Sequence, residues 1–255
     1  MIIQSKKKTW RFLAVALLGV MIFMGGCARE DDSLVVYCGG SLKRPFEDII
    51  AAFEQEYDVE VHPIYAGIIT LRDTIEETKK GDYFIYPSSD PSGRMSVFEN
   101  DTECVAVDEL IIIVHKDNPE NIQSFTDLAK PGIRLAVGDA DKALGGIKTE
   151  ILIQKSELRE QLEQNIVIET PSLPQLLNLL EAEDVDAAIV LKNMLTWPES
   201  QEFIGIEIPA DLRETIEIRA AVLTTTEDEK TARLFADFVA LQGKAIFTEC
   251  GFGEK

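Results

Sequence analysis

Four short turns rich in glycine, serine or proline are the places where this sequence could do chemistry. Each follows an apolar run and precedes an amphipathic one: Gly39-Gly40-Ser41, Ala66-Gly67, Gly145-Gly146 and Thr170-Pro171-Ser172. At such a turn the first N–H groups of a helix lack carbonyl partners, and the helix dipole makes that end positive. Groups of this kind hold small anions without a full positive charge. The turns therefore predict anion binding, with Ser41 as the N-cap of the first helix.

The elements that must position these turns alternate between strands and helices. Apolar β-branched runs predict strands, and apolar residues at helical spacing predict helices. The predicted strands are 33–37, 59–64, 83–86, 109–115, 133–137, 166–168, 187–191 and 215–224. The predicted helices are 42–56, 71–78, 147–154, 173–181, 228–241 and 243–250, the last ending at Gly251. The opening βαβαβ order predicts a parallel sheet in an α/β fold, in which ligands bind at the carboxyl ends of strands.

Motifs for covalent chemistry do not occur in the sequence. It has no Gly-x-Ser-x-Gly elbow, no His-Glu-x-x-His and no Walker loop. The two histidines, His62 and His115, fall in or at the end of predicted strands and suggest no catalytic pair. We therefore expect a binding protein without enzymatic activity, cofactor or resident metal. Asp139 and Asp141, near the Gly145 turn, could complete the coordination of a metal within a bound oxyanion, or could simply be surface residues.

The first 27 residues predict export. Four cations precede the apolar stretch 12–24, which is short for a bilayer span, and Gly25-Gly26-Cys27 follows it. This pattern is typical of a lipoprotein signal peptide, residues 1–26, rather than of a retained membrane anchor. The mature chain would begin at Cys27, carry lipid on its sulfur, and be tethered to the membrane through residues 27–32. We expect it to face the periplasm or the cell exterior.

Charge and cysteine content limit the partners further. The net charge of −20 disfavours nucleic acid and anionic membrane surfaces as partners.

Apart from Cys27 the cysteines are Cys38, Cys104 and Cys250, an odd number without a Cys-x-x-Cys pair. One disulfide with a leftover thiol and three thiols are both compatible with this count. We expect a monomer.

Several stretches resemble the molybdate-binding members of the periplasmic solute-binding proteins, the receptors of ABC importers. The most specific is Arg-Leu-Ala-Val-Gly-Asp at 134–139. The others are Val-Val-Tyr-Cys-Gly-Gly-Ser-Leu at 35–42, Gly-Asp-Tyr-Phe-Ile at 81–85, Gly-Gly-Ile at 145–147, Ala-Ala-Ile-Val at 187–190, and Ile-Phe with Gly-Phe at 246–252. The resemblance covers almost all of the predicted mature chain, in order.

This resemblance implies a type II fold of two α/β lobes, each a mainly parallel sheet flanked by helices, with an oxyanion bound in the cleft between them. Lobe 1 would comprise residues 33–106 plus 207–255, and lobe 2 residues 107–206. The partners implied are an ABC permease and its ATPase. The ligand-binding positions that the family pattern implies, together with the glycine of the second turn, are Ser41, Gly67, Ile68, Gly145, Leu173 and Leu191.

Two of these positions depart from the family pattern. The family usually has a serine where this chain has Ile68, and commonly a tyrosine where it has Leu191. Three interpretations stay open. Backbone N–H groups and Thr70 could compensate, so that a molybdate- or tungstate-like oxyanion still binds. The cleft could suit an organic anion whose apolar part contacts Ile68, Ile69 and Leu191. The protein could also be a surface sensor that binds a partner and transports nothing.

Overall fold

The computed structural model describes residues 33–88 and 99–254. The predicted signal peptide 1–26, the lipid-bearing Cys27 and the tether 27–32 lie outside the described residues. Ser33–Lys255 cluster as one unit. In the described part of the chain, no helix has both the length and the apolar character needed to cross a bilayer.

Strands and helices alternate through the chain, in the order that the sequence predicts. The strands are β1 (Ser33–Gly39), β2 (Glu60–Ala66), β3 (Tyr83–Ser88), β4 (Glu99–His115), β5 (Leu135–Gly138), β6 (Ile166–Thr170), β7 (Ala187–Leu191), β8 (Phe203–Ile206) and β9 (Thr215–Leu223). The α-helices are α1 (Lys43–Tyr57), α2 (Ile68–Thr78), α3 (Leu144–Lys155), α4 (Arg159–Asn165), α5 (Leu173–Glu181), α6 (Glu229–Phe238) and α7 (Lys244–Glu249). The predicted bounds of α5 and β7 are confirmed, whereas β8 and α4 were not predicted.

The strands form one mixed sheet in the order β2-β1-β3-β9-β4-β7-β5-β6, with β8 also paired to β4. Strands β2, β1 and β3 are parallel, which confirms the prediction from the βαβαβ order. Strands β6, β5 and β7 are parallel as well. Strands β9 and β4 join the two parallel groups through antiparallel pairs, and β8 is also antiparallel to β4.

Strand β4 begins ten residues earlier than the sequence predicts. Its first part pairs with β9, and its last part, from Leu110 onward, pairs with β7 and β8. The ladder with β9 has irregularities between Asn100 and Glu103 and between Cys104 and Ala106. The strand therefore runs across the predicted lobe boundary at residues 106 and 107. The lobe bounds themselves stay a prediction.

An aromatic cluster packs the helices α1 and α6 on the first group of strands. Phe46 and Phe53 of α1 are fully buried, as the helical spacing predicts. Their rings lie edge-on to Phe235 of α6, with ring centroids 6.0 and 4.8 Å from it, and Tyr83 of β3 meets the same ring at 5.1 Å. Burying side chains of this size contributes about 1.5–3 kcal/mol each. This packing holds α1, and with it the turn that begins at Gly39.

The residues that follow α7 are held against β4 by backbone hydrogen bonds. Gly251 has φ +86°, the left-handed conformation that glycine adopts readily, and this confirms it as the residue that ends the helix. The Gly251 N–H donates to the Thr248 carbonyl, and the Phe252 N–H to the Phe247 carbonyl, both at 3.0 Å. Gly253 then exchanges two backbone hydrogen bonds with Val107, at 2.8 and 2.9 Å. The last residues are thus anchored beside the middle of β4.

Candidate functional site

The six predicted ligand-binding positions line one cleft of about 680 Å³. They are Ser41, Gly67, Ile68, Gly145, Leu173 and Leu191. They come together because β1, β2, β6 and β7 all end at this edge, so that the turns after them face the same space. This is the edge at which open α/β sheets bind ligands.

The first turn differs from its prediction in one respect. Gly40–Leu42 form a short 3₁₀ helix, and α1 begins after it, with Leu42 rather than Ser41 at its N-cap. The prediction that Ser41 caps the helix is therefore wrong, because the extra turn places Ser41 inside the tight turn. Within the described residues the Ser41 hydroxyl makes no cap hydrogen bond, and the residue is exposed in the cleft. That hydroxyl is left to donate to a ligand.

The second turn starts its helix three residues earlier than predicted. Gly67 is the N-cap of α2, and Ile68 is its first residue. Successive helical residues point about 100° apart, so Ile68 lines the cleft while Ile69, 64% exposed, points away from it. Thr70 is also outside the cleft lining. Two of the open interpretations placed Ile69 and Thr70 beside the ligand, and neither residue belongs to the cleft lining.

The third and fourth turns bring two helix N-termini into contact. Gly145 lies in the first turn of α3 instead of before it, and Leu173 is the first residue of α5 after the N-cap Ser172. A Cβ on Gly145 would lie 2.6 Å from Cδ1 of Leu173, so a larger residue here would force the Leu173 side chain to move. The N–H groups of Gly145 and Leu173 are in the first helical turns, where no intrahelical acceptor exists. Both can therefore donate into the cleft.

Cationic side chains at the rim are already paired. The Arg44 guanidinium donates to both carboxylate oxygens of Glu199, at 3.1 and 2.7 Å, and stacks on Trp197 with its central carbon 4.2 Å from the ring centroid. The hydrogen bond from Arg44 lowers the pKa of Glu199. Lys43 lies over the Tyr65 ring, 5.3 Å from its centroid. Both Lys43 and Arg44, which follow the first turn in the chain, line the cleft.

The sequence reasoning missed a buried polar pair at the cleft. Asn193 lines the cleft and is 2% exposed, and Asp108 of β4 lies behind it at 5% exposure. Oδ1 of Asp108 accepts from the backbone N–H groups of Glu109, at 2.9 Å, and Asn193, at 3.4 Å. Burial, and secondarily the adjacent Glu109 carboxylate, raise the pKa of Asp108 to about 7 against the opposing backbone hydrogen bonds. Neither residue belongs to a motif that a single sequence would reveal.

The remaining candidates lie elsewhere. His62 and His115 are outside the cleft lining, with side chains 51% and 31% exposed. Asp139 pairs with Lys142 at 2.6 Å. In residues 33–88 and 99–254, no group of three or more His, Cys, Asp or Glu side chains could hold a metal ion. No disulfide joins Cys38, Cys104 and Cys250, so the described part of the chain has thiols at all three positions.

The cleft at the carboxyl edge of the mixed α/β sheet, lined by helix N-termini, is the site expected of a solute-binding protein of the ABC-importer type. The chain belongs to the bacterial extracellular solute-binding proteins, whose family model matches residues 34–253. Proteins of this family bind their substrates and are not enzymes.

Two relatives cover nearly the whole chain. A binding protein of Haemophilus influenzae is 28% identical over 221 residues, which are 86% of this chain and 90% of that protein. The molybdate-binding protein ModA of Mycobacterium tuberculosis is 25% identical over 228 residues, 87% of this chain and 85% of its own length.

Two solved structures share the fold. The substrate-binding domain assigned to a molybdenum ABC transporter of Clostridium difficile superposes with a TM-score of 0.74 at 17% identity, covering 88% of this chain and 99% of that one. PEB3, a protein of Campylobacter jejuni solved with bound L-phospholactate, gives 0.67 at 19% identity and covers 87% and 100%. At these identities the likeness concerns the fold alone.

Proposed function

We propose that this protein is a lipid-anchored receptor that captures a small oxyanion of the molybdate or tungstate type and delivers it to an ABC permease. The observation that carries the proposal is the convergence of the Gly145 and Leu173 N–H groups and the Ser41 hydroxyl on one cleft. Uncharged donors at helix N-termini are suited to an anion that must also be released. The likeness to ModA supports molybdate as the first ligand to test.

Among the described residues, four charged side chains line the cleft: Lys43, Arg44, Lys142 and Glu199. Each cation is paired with a carboxylate: Lys43 with Glu47, Arg44 with Glu199 and Lys142 with Asp139. The proposal therefore rests on the uncharged hydrogen-bond donors of the cleft rather than on free positive charge.

Ligand capture would close the predicted lobes, residues 33–106 plus 207–255 and residues 107–206, around the anion. Arg44 and Glu199 belong to different predicted lobes, so their ion pair would lie across the mouth of the cleft. Both side chains are about half exposed, and a pair of this kind contributes at most about 1 kcal/mol. The pair would therefore bias the closed state without preventing release.

Ligand titration tests the proposed receptor function. Thermal unfolding of the purified mature chain should shift upward with molybdate or tungstate, by the equivalent of about 2.7 kcal/mol at a hundred times the dissociation constant. Ser41→Ala should weaken binding about tenfold, because a hydrogen bond to a charged group is lost. Thr70→Ala is the matched control, since Thr70 lies outside the cleft and should leave affinity unchanged. Equal affinities for all three proteins would refute the proposed site.

Attachment to the membrane is tested separately. We propose that lipid on Cys27 anchors the chain, with residues 1–26 removed and 27–32 as the tether. Cells fed labelled fatty acid should produce a labelled membrane-bound protein, and Cys27→Ala should abolish both the label and the membrane retention. Cys250→Ala is the control cysteine variant and should keep both. Retention of the label in Cys27→Ala would contradict lipidation at this residue.

A second candidate ligand is a small organic anion. Ile68, Leu173 and Leu191 give the cleft an apolar wall, and the volume of about 680 Å³ is in the range of pockets that hold organic molecules. PEB3, which shares the fold, was solved with such an anion bound. A thermal shift with phospholactate and none with molybdate or tungstate would favour this candidate.

A further inference from the structure

Asn193 has a side chain whose hydrogen bonds are incomplete. The residue is 98% buried against the cleft, and its buried Oδ1 has no hydrogen-bond partner in the part of the chain that the structure describes. Its Nδ2 is not among the fully buried atoms, and the described residues offer it no hydrogen bond. A buried amide oxygen without a partner destabilises the native state, so its retention calls for an explanation.

The hydrogen bonds of the Asp108 carboxyl are also incomplete. Its Oδ1 accepts the backbone N–H groups of Glu109 and Asn193, and the Lys192 backbone N–H also stabilises the carboxylate. Its Oδ2 is buried and accepts no hydrogen bond from the described residues. The Asn193 backbone nitrogen lies 3.4 Å from Asp108 Oδ1, so the residue that carries the unpartnered amide oxygen directly contacts the Asp108 carboxyl. Two unpartnered acceptor oxygens on neighbouring buried side chains can both be satisfied by a single proton between them.

We propose that Asp108 is protonated and donates from Oδ2 to Oδ1 of Asn193, and that this fixes Nδ2 of Asn193 as a hydrogen-bond donor to the anion in the cleft. The inference deepens the proposed function and rests on it for the identity of the ligand. Asn193 is then a ligand-binding residue and Asp108 its positioning residue. The amide would supply one of the donors that Ile68 and Leu191 do not provide.

Protonation of Asp108 also keeps a negative charge away from the anion. The raised pKa of this carboxyl, about 7, leaves it largely protonated below neutral pH. Above that pH a carboxylate would lie beside the Asn193 oxygen and behind the ligand, and it would oppose both. Binding that requires the protonated form weakens by the fraction of protein that has lost the proton.

The charged side chains that flank Asp108 on β4 and β9 form ion pairs. On its own strand Glu109 contacts Lys192 at 2.6 Å and Arg213 at 3.4 Å. On the neighbouring strand β9, Glu217 is paired with Arg219. Three α-helices contact β4: α3 carries Lys148, Glu150 and Lys155, α5 carries Glu181, and α7 carries Lys244 and Glu249. Of all these groups only Glu109 contributes to the raised pKa of Asp108, so Asp108 itself is the group expected to titrate near neutral pH.

Calorimetric titration with molybdate at pH 6 and pH 9 tests the pair in the mature chain. For the wild type the dissociation constant should rise about 100-fold between these pH values, since the protonated fraction falls about tenfold per pH unit. Asp108→Asn donates from its amide at every pH, so its ratio should fall to near 1. Asn193→Asp, of the same size, should weaken binding more than tenfold at both. A wild-type ratio near 1, or an unaffected Asn193→Asp variant, would overturn the proposal.

A spectroscopic readout separates failure of this proposal from failure of the proposed function. Without any ligand, the side-chain amide signal of Asn193 in ¹⁵N NMR spectra should shift with pH around a midpoint near 7, and the shift should be absent in Asp108→Asn. Absence of the shift in the wild type would overturn the shared proton. If the shift is present but molybdate does not bind at pH 6, the pair exists and the oxyanion function fails, together with the donor role of Asn193 toward molybdate.

Discussion

Replacing Asp108 by asparagine should change how the stability of the ligand-free protein depends on pH. The carboxyl is 5% exposed, and burial raises its pKa from 3.8 to about 7. A native pKa above the unfolded one means that the native state binds the proton more tightly. The stabilising contribution of this group is therefore complete below about pH 4 and is lost as the pH rises to about 7.

The magnitude follows from the size of the shift. A displacement of about three pKa units, at 1.36 kcal/mol per unit, corresponds to about 4 kcal/mol of native-state stability lost between pH 4 and pH 8. Asparagine has nearly the same shape and no charge. Asp108→Asn should therefore unfold with nearly the wild-type free energy at pH 4 and be more stable than wild type by up to about 4 kcal/mol at pH 8.

Urea unfolding at several pH values, followed by far-UV circular dichroism, measures this difference. Asp211→Asn is the matched control, because Asp211 is exposed and the same change of charge should have no comparable effect. Comparing each variant with wild type at the same pH removes the titration of all other groups. A difference between Asp108→Asn and wild type that does not grow from pH 4 to pH 8 would refute the reasoning.

Three further predictions concern the cleft and the core. Ile68→Ser restores a hydroxyl at a cleft position and should tighten molybdate binding about tenfold by calorimetry; unchanged affinity would mean that this position does not contact the anion. Phe235→Ala should lower the free energy of unfolding by about 3–5 kcal/mol. Leu234→Ala, at the partly exposed neighbouring position, should lower it far less. Similar losses for the two variants would contradict the packing described for α6. Gly146→Ala should lower the free energy of unfolding by at least about 2 kcal/mol, because its Cβ would lie 2.5 Å from the Asp139 carbonyl. Gly67→Ala, with open space around it, should not lower it. Equal stabilities of the two variants in urea would count against this close approach.

Sequence reasoning predicted most of the architecture because its signals are local. The apolar spacing of Phe46, Ile49 and Phe53 predicted a buried helix face, and all three are buried. The bounds of α5 and β7 were also predicted correctly, since Pro174 and a compact β-branched run mark them clearly. The six predicted positions meet in one cleft because the strands that precede their turns end at a common edge.

Features that depend on distant pairing could not be predicted in this way. The residues 99–104 are mostly polar and acidic, so nothing in their pattern indicates a strand, yet pairing with β9 extends β4 through them. The prediction that Ser41 is the N-cap of α1 was wrong because a 3₁₀ turn precedes the helix, and residue propensities do not reveal such a turn. Asp108 and Asn193 are 85 positions apart, and only the fold shows that the Asp108 carboxyl contacts the Asn193 backbone.

The position of Trp197 in the Arg44–Trp197 stack allows solute binding in the cleft to be followed by tryptophan fluorescence. The sequence contains two tryptophans, and the other one, Trp10, belongs to the predicted signal peptide. A mature chain would then carry a single indole, at the mouth of the cleft and in contact with a cation that is itself paired with Glu199. Its emission would come from one place in the molecule, so a change in intensity on adding solute would need no deconvolution. Candidate solutes could be screened by intrinsic fluorescence alone, without a label or an added dye.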